Sequence, residues 1–133
     1  MKEKSEVRQV GEREIWVGES RFYLDEDNIL YITSVGEFDD ETAIANKKAF
    51  LKLLNMAKGN LKQLIDLNKS GKSSVQARKI WKELTENERI EKLALFGLHP
   101  VARILASFGI GLTNKKGVRF FKTKEEALAW LKE

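Results

Sequence analysis

The sequence predicts a single α/β domain with a mixed, mainly parallel sheet, an N-terminal antiparallel hairpin and about four helices. From about residue 39 onward, segments with helical periodicity alternate with short apolar segments of strand length. Before that point, β-branched and aromatic segments flank the acidic turn sequence at residues 25–28, which is typical of a hairpin. Strands that alternate with helices form right-handed crossovers, so the later strands are expected to be parallel.

Residues 1–12 are polar and charged, and they are predicted to be a flexible lead to a domain over residues 13–133. The strands of the N-terminal part are predicted at residues 15–17, 21–24 and 29–35. Asp39 or Asp40 is predicted to cap the first and longest helix, which ends at Gly59. The further predicted elements are a strand at 61–67, a helix from 75 to about 87, a strand at 91–96, a helix from 99 to 108, a strand at 118–121 and a final helix. Thr123 and Glu126 form a capping box at the start of that final helix.

Composition limits the chemistry of this protein. The 133 residues include no cysteine and one histidine, which excludes disulfides, a thiolate nucleophile and Cys- or His-rich metal sites, and no cofactor is predicted. A net charge of +4 is too small to imply nucleic acid, so no nucleic acid partner is expected. The N-terminus does not resemble a signal peptide, and the apolar runs are too short to span a membrane. A cytoplasmic location is therefore expected.

Three phrases resemble the SpoIIAA-like family of the STAS superfamily: residues 64–68 (LIDLN), 94–103 (ALFGLHPVAR) and 121–131 (FKTKEEALAWL). The resemblance covers roughly residues 14–133 and implies a STAS-like fold related to anti-sigma-factor antagonists. In those antagonists a phosphorylatable serine stands at the start of the helix after this strand. Ser73 and Ser74 fall near that place here, although Lys72 replaces an acidic residue and Val75 replaces a glycine.

The segment from Asn68 to Ser74 is predicted to be a polar loop between a strand and a helix, where open α/β sheets bind ligands and partners. The resemblance and this position predict a non-enzymatic regulatory module that docks a protein partner or an anion. The predicted partner- or anion-binding residues are Asp66, Asn68, Ser70, Lys72, Ser73, Ser74 and His99. Ser70, next to Gly71, is the candidate phosphosite. The structural alternative is that Ser73 only caps the helix, because Gln76 completes a capping box with it.

Two enzymatic interpretations are weaker. Gly71, Lys72 and Ser73 are similar to part of a phosphate-binding P-loop, but position 66, where the first glycine is required, is aspartate. Asp66, a loop serine and His99 would supply the residue types of a hydrolytic triad, but no G-x-S-x-G motif is present. No catalytic residue is therefore assigned, and the protein is predicted not to be an enzyme.

Two further hypotheses concern apolar surfaces. The predicted helix after Pro100 carries a stripe that forms either part of the core or the lining of a lipid-like or small apolar ligand site: Val101, Ile104, Leu105 and Phe108. The N-terminal hairpin leaves an edge strand, and Trp16, Phe22 and Tyr23 are predicted to cover a homodimer contact there. Trp81 and Trp130 are predicted to be core residues.

Overall fold

The computed structural model describes residues 6–97 and 117–133. This part of the chain contains seven strands in one sheet whose order follows the chain, and the strands from β4 onward are parallel to one another. The elements are β1 (Val7–Gly11), β2 (Glu14–Val17), β3 (Ser20–Leu24), β4 (Ile29–Phe38), α1 (Asp40–Met56), β5 (Leu61–Ser73), α2 (Val75–Thr85), β6 (Ile90–Phe96), β7 (Val118–Phe121) and α3 (Lys124–Leu131). The predicted mixed α/β sheet is confirmed. Three helices are present here, fewer than the predicted four, and the helix predicted after His99 lies outside the described residues.

The antiparallel part of the sheet turns at the acidic sequence predicted for it. The Asp25 carboxylate accepts hydrogen bonds from the backbone N–H groups of Asp27 and Ile29, both at 2.9 Å. Asn28 has a φ of +61°, a left-handed conformation that asparagine tolerates better than most residues. Its side-chain amide donates to the carbonyl of Lys58 at 2.7 Å, so the turn is also held to the end of α1.

One face of the sheet is covered by α1 and α2, and it forms the larger core. Asp39 caps α1 as predicted, because its carboxylate accepts from the backbone N–H of Thr42 at 2.8 Å. At the other end of α1, the Arg89 guanidinium donates to the carbonyl oxygens of Leu54, Ala57 and Gly59. The largest fully buried side chains of this core include Phe50 and Leu53 of α1 and, on the strands, Ile15, Leu24, Leu30, Leu61, Ile65, Leu93 and Leu95.

The opposite face carries a smaller core under α3, which packs on β5, β6 and β7. Its buried members are Ile29, Leu64, Ala94, Phe96, Ala127 and Leu131. The Thr123 hydroxyl accepts from the backbone N–H of Glu126 at 3.2 Å, which confirms the predicted cap of the final helix. Trp81 and Trp130 are half-buried and pack at the margins of the two cores.

The structure corrects two boundaries. Residues 7–11, predicted within the flexible lead, form β1, because their backbone pairs with β2 from Val7 opposite Val17 to Gly11 opposite Glu14. Strand β5 does not end at Leu67 but continues through Ser73. None of the helices in residues 6–97 and 117–133 is long and apolar enough to cross a membrane.

Candidate functional site

The predicted polar loop at residues 68–74 is mostly strand. The pairing of β5 with β6 ends at Asp66 opposite Phe96, and the pairing of β4 with β3 ends at Thr33 opposite Arg21. Beyond these positions β4 and β5 pair with each other, with an irregular register. The partners there are Val35 with Lys69, Gly36 with Ser70, and Phe38 with Ser73. We call residues 35–38 and 69–73 the β4–β5 arm.

Gly71 permits the close pairing of this polar segment with β4. A Cβ atom at Gly71 would lie 3.1 Å from the backbone carbon and oxygen of Gly36, so the two strands approach more closely here than most side chains permit. The register of the pair also shifts between Gly36 and Phe38. A glycine at such a position is typical of a strand irregularity with close backbone approach. The Ser-Gly-Lys sequence therefore belongs to the ribbon rather than to a phosphate-binding loop.

Asp66 and Asn68 form a local cluster on β5, beside the carboxyl end of β6. The Asp66 Oδ1 atom accepts from both the backbone N–H and the side-chain Nδ2 of Asn68, each at 2.9 Å. Gly97 has a φ of +96°, and a Cβ atom placed on it would lie 2.6 Å from the Asn68 Cγ atom. The Asn68 amide is thus positioned by the Asp66 carboxylate on one side and by the Gly97 backbone on the other.

The three serines occupy different environments. Ser74 caps α2, since its hydroxyl accepts from the backbone N–H of Ala77 at 3.1 Å. The same hydroxyl donates to Oδ1 of Asp40, in the first turn of α1, at 2.5 Å. Ser73, predicted as the cap, is instead the exposed last residue of β5, so the capping position lies one residue later than predicted. Ser70, predicted as an exposed loop hydroxyl, is half-buried within the arm.

Charge at the arm is mixed. Lys69 and Lys72 are exposed on β5, while the Asp40 carboxylate occupies the N-terminus of α2 through its bond with Ser74. A helix N-terminus favours negative charge, but this one already faces a carboxylate. His99 lies outside the described residues, as do the proposed apolar ligand residues Val101, Ile104, Leu105 and Phe108. In residues 6–97 and 117–133, no group of three or more acidic or histidine side chains forms a metal cluster.

The sheet register places the N-terminal hairpin beside Asp66, a relationship that the sequence patterns did not reveal. One row of directly paired residues crosses five strands, on the face that also carries α3: Arg8, Trp16, Arg21, Thr33 and Asp66. A second row on the same face contains Glu14, Tyr23, Tyr31 and Leu64. The alternation of β2 and β3 indicates which of these residues share a face, but only the register shows that their row reaches Asp66.

A hydrogen-bonded cluster joins the two rows. The Glu14 carboxylate accepts from the Trp16 indole N–H at 2.7 Å and from the Arg21 guanidinium at 2.9 Å. The hydrogen bond from Arg21, together with the one from Trp16, lowers the pKa of Glu14, and the same contact with Glu14 raises the pKa of Arg21. Burial, with the nearby Asp25 carboxylate, raises the pKa of Tyr31.

The hairpin differs from the surface predicted for a homodimer contact. Phe22 points into the larger core and is 3% exposed, so it offers no surface to a second copy. Trp16 and Tyr23 are half-buried on the opposite face, and β1 rather than β2 is the outermost strand of the described sheet. The alternating pattern of β3 explains this division, since successive side chains point to opposite faces.

Comparison with solved structures shows the same fold in three proteins. An uncharacterized protein of the DUF3478 family with a SpoIIAA-like fold from Shewanella loihica is 19% identical, with a TM-score of 0.66 over 84% of this chain and 91% of its own. An anti-sigma factor antagonist from Mycobacterium paratuberculosis is 18% identical, with a TM-score of 0.65 over 100% of both chains. The Bacillus cell fate determinant SpoIIAA in its phosphorylated form is 14% identical, with a TM-score of 0.58 over 84% of this chain and 97% of its own.

At these identities the likeness shows the fold alone. No functionally curated protein matches this sequence. The SpoIIAA-like family model matches residues 29–132, from the first residue of β4 to the end of the C-terminal helix. This match covers well over half of the chain, and it agrees with the resemblance of the three phrases and with the sheet order. The chain therefore belongs to the SpoIIAA-like family.

Proposed function

We propose that this protein is a non-enzymatic regulatory module that binds a protein partner through the β4–β5 arm. The observation that carries the proposal is the arm itself, a two-stranded ribbon that extends past β3 and β6 at the carboxyl ends of the parallel strands. Ligands and partners commonly bind open α/β sheets at that edge. Lys69, Lys72 and Ser73 are exposed on the ribbon.

A protein partner fits this surface better than a free anion does. The Asp40 carboxylate bonds to Ser74 at the N-terminus of α2, so an added anion there would meet a negative charge. The exposed lysines, by contrast, are separated along a strand. This spacing fits a partner protein whose surface presents carboxylates over an extended area. In this proposal, Asp66, Asn68 and Ser74 form the ordered part of the contact surface. His99 belongs to the proposed surface on the basis of the sequence alone.

The comparisons support a regulatory role of this kind. Two of the similar structures are described as an anti-sigma factor antagonist and as a cell fate determinant in a phosphorylated form. We also propose that phosphorylation controls the binding of a partner by this chain. Ser70 is the proposed phosphosite from the sequence, and Ser73 joins it because its side chain is more exposed. A phosphate on Ser70 would add negative charge next in sequence to Lys69, and one on Ser73 would add it next to Lys72. We expect such a module to act in the cytoplasm.

The test is a pull-down from native lysate with matched charge-reversal variants. The arm variant is Lys69→Glu with Lys72→Glu, and the control is Lys48→Glu with Lys79→Glu, which changes the net charge equally on the exposed helical surface. We expect one or more proteins to be retained by the wild type and by the control but lost by the arm variant. Identical captured sets for all three proteins would contradict the proposal.

The lipid-like ligand and the homodimer remain separate hypotheses. The apolar ligand proposal rests on the helical spacing of Val101, Ile104, Leu105 and Phe108. Native mass spectrometry of freshly purified protein tests both, because a retained ligand and a second copy each change the measured mass. A mass equal to the bare monomer at high micromolar concentration would contradict both.

A further inference from the structure

Strand β1 is an open edge of the sheet. It stands first in the strand order, so within the described residues no strand lies beyond it. The Gly18 backbone N–H donates to the Glu6 carbonyl at 2.8 Å, which makes these two residues a hydrogen-bonded pair. Hydrogen-bonded and non-bonded pairs alternate along antiparallel strands, so the backbone N–H and C=O groups of Val7 and Gln9 point away from β2. Such outward backbone groups are a template for a further strand.

Two exposed valines accompany this open edge. Val7 is 49% exposed and Val10 is 54% exposed, although sheet edges are usually protected by charge, proline or irregular pairing. An irregularity is present, but only toward the end of the strand: the register of β1 against β2 shifts between Gln9 and Gly11, and the pairing before that point is regular. Residues 6–9 are therefore the part of the edge that can accept a strand.

Glu6 and Arg8 flank Val7 with opposite charges. Glu6 is exposed, and Arg8 is half-buried with its guanidinium 5.9 Å from the centroid of the Trp16 ring. The Arg8 Nε atom has no hydrogen-bond partner in the described part of the chain. The order Glu-Val-Arg is self-complementary when two copies run antiparallel, because each glutamate then lies opposite the other copy's arginine.

We propose that two copies of this chain form a dimer by antiparallel pairing of their β1 strands about a two-fold axis at Val7. In this register Val7 lies opposite Val7 of the second copy, and Glu6 lies opposite the second copy's Arg8 on both sides of the axis. Opposite charges that face each other across antiparallel strands are stabilising, and the contact is isologous, as two-fold symmetry requires. It differs from the hairpin surface that the sequence predicts, because it uses the free edge of β1 and not the aromatic side chains of β2 and β3.

Two neighbouring registers of the same edge are unfavourable. An axis at Arg8 would place the two guanidinium groups directly opposite each other, and like charges in that position are destabilising. An axis at Gln9 would bring the irregular segment at Val10 into the pairing, opposite the second copy's Arg8. The contact at Val7 is short, so a weak dimer is expected. It does not involve the β4–β5 arm, and it is therefore independent of the proposed partner.

The first test uses single-cysteine variants, since the chain contains no cysteine. The Cα atoms of such a hydrogen-bonded pair lie about 5.5 Å apart, within the range that a disulfide spans. With oxidised glutathione, Val7→Cys should therefore form a disulfide-linked dimer roughly tenfold faster than Val10→Cys. Val10→Cys is the matched control on the same strand, because its two copies would lie six residues, roughly 20 Å, out of register. Equal rates at these two positions, or faster linkage of Arg8→Cys or Gln9→Cys, would overturn the proposal.

The second test exchanges the charges of the Glu6–Arg8 pairs. Glu6→Arg alone and Arg8→Glu alone each place like charges opposite one another, so each variant should be monomeric. Mixed in equal amounts, they should form a heterodimer, because every arginine then lies opposite a glutamate. Native mass spectrometry distinguishes these species, and circular dichroism confirms that each variant is folded. Glu26→Arg and Arg78→Glu make the same charge changes away from β1 and should dimerise like the wild type. The proposal is overturned if the mixture forms no heterodimer, or if the wild type is monomeric at high micromolar concentration.

Discussion

The Ser74 hydroxyl donates a hydrogen bond to Asp40 Oδ1 at 2.5 Å and accepts one from the backbone N–H of Ala77 at 3.1 Å. A single side chain thus joins the first turns of α1 and α2 at the point where β5 ends. The Ser74 backbone N–H also donates to the carbonyl of Phe38 at 3.0 Å, which closes the end of the β4–β5 arm. The end of the arm is consequently attached to the first turns of both helices.

Ser74→Ala should lower the free energy of unfolding by about 1 kcal/mol, because it removes the cap of α2. Ser73→Ala is the matched control and should change that free energy by less than about 0.5 kcal/mol, since the Ser73 side chain is exposed and does not cap the helix. Urea denaturation followed by circular dichroism measures both values. A larger loss for Ser73→Ala than for Ser74→Ala would contradict the assignment of the cap.

Arg89→Lys should destabilise the protein by about 2 kcal/mol, because the single ammonium nitrogen of lysine keeps the charge but cannot reach all three carbonyl groups at the end of α1. The guanidinium contacts the carbonyls of Leu54 and Ala57 at 2.8 and 2.7 Å, and that of Gly59 through two of its nitrogens. Arg78→Lys on the exposed side of α2 provides the control and should be nearly neutral. If both variants unfold at the same urea concentration as the wild type, the Arg89 contacts contribute no stability.

Gly97→Ala should destabilise the protein by about 1–3 kcal/mol, because a positive φ is unfavourable for alanine and the new Cβ would clash with the Asn68 amide. In an Asn68→Ala background the clash is absent, and the cost of Gly97→Ala should fall to the backbone strain alone. A double-mutant cycle from urea denaturation measures this coupling between the two positions. Strictly additive effects would show that the Asn68 side chain does not rest against Gly97.

Glu14→Gln should lower stability at pH 7 much more than at pH 3. The hydrogen bonds from Arg21 and Trp16 hold the pKa of Glu14 below its ordinary value of 4.5, so the folded state favours the ionised carboxylate. That stabilisation is present above the unfolded pKa and is lost as the pH falls through the lower folded pKa. Unfolding free energies of wild type and variant at both pH values measure the difference. A difference that does not change with pH would indicate that the ionised form is not favoured by folding.

Several elements could be predicted because their signals are local. The Asp25–Asn28 turn, the Asp39 cap and the Thr123 cap each depend on side chains that bond to backbone groups within four residues. The parallel arrangement of β5, β6 and β7 was expected from short apolar segments that alternate with helices. The sequence resemblance also indicated the family that the match over residues 29–132 shows.

What the sequence determined by itself was the fold class, most element positions and the family, because periodicity and capping are encoded over a few residues. The tertiary structure decided the extent of β1 and β5, the identity of the α2 cap and the row that connects Arg21 to Asp66. The polar sequence at residues 68–73 has no apolar alternation, so its strand conformation comes from hydrogen bonds to β4. Register and sheet pairing join residues distant in the chain, and no local pattern specifies which side chains they bring together.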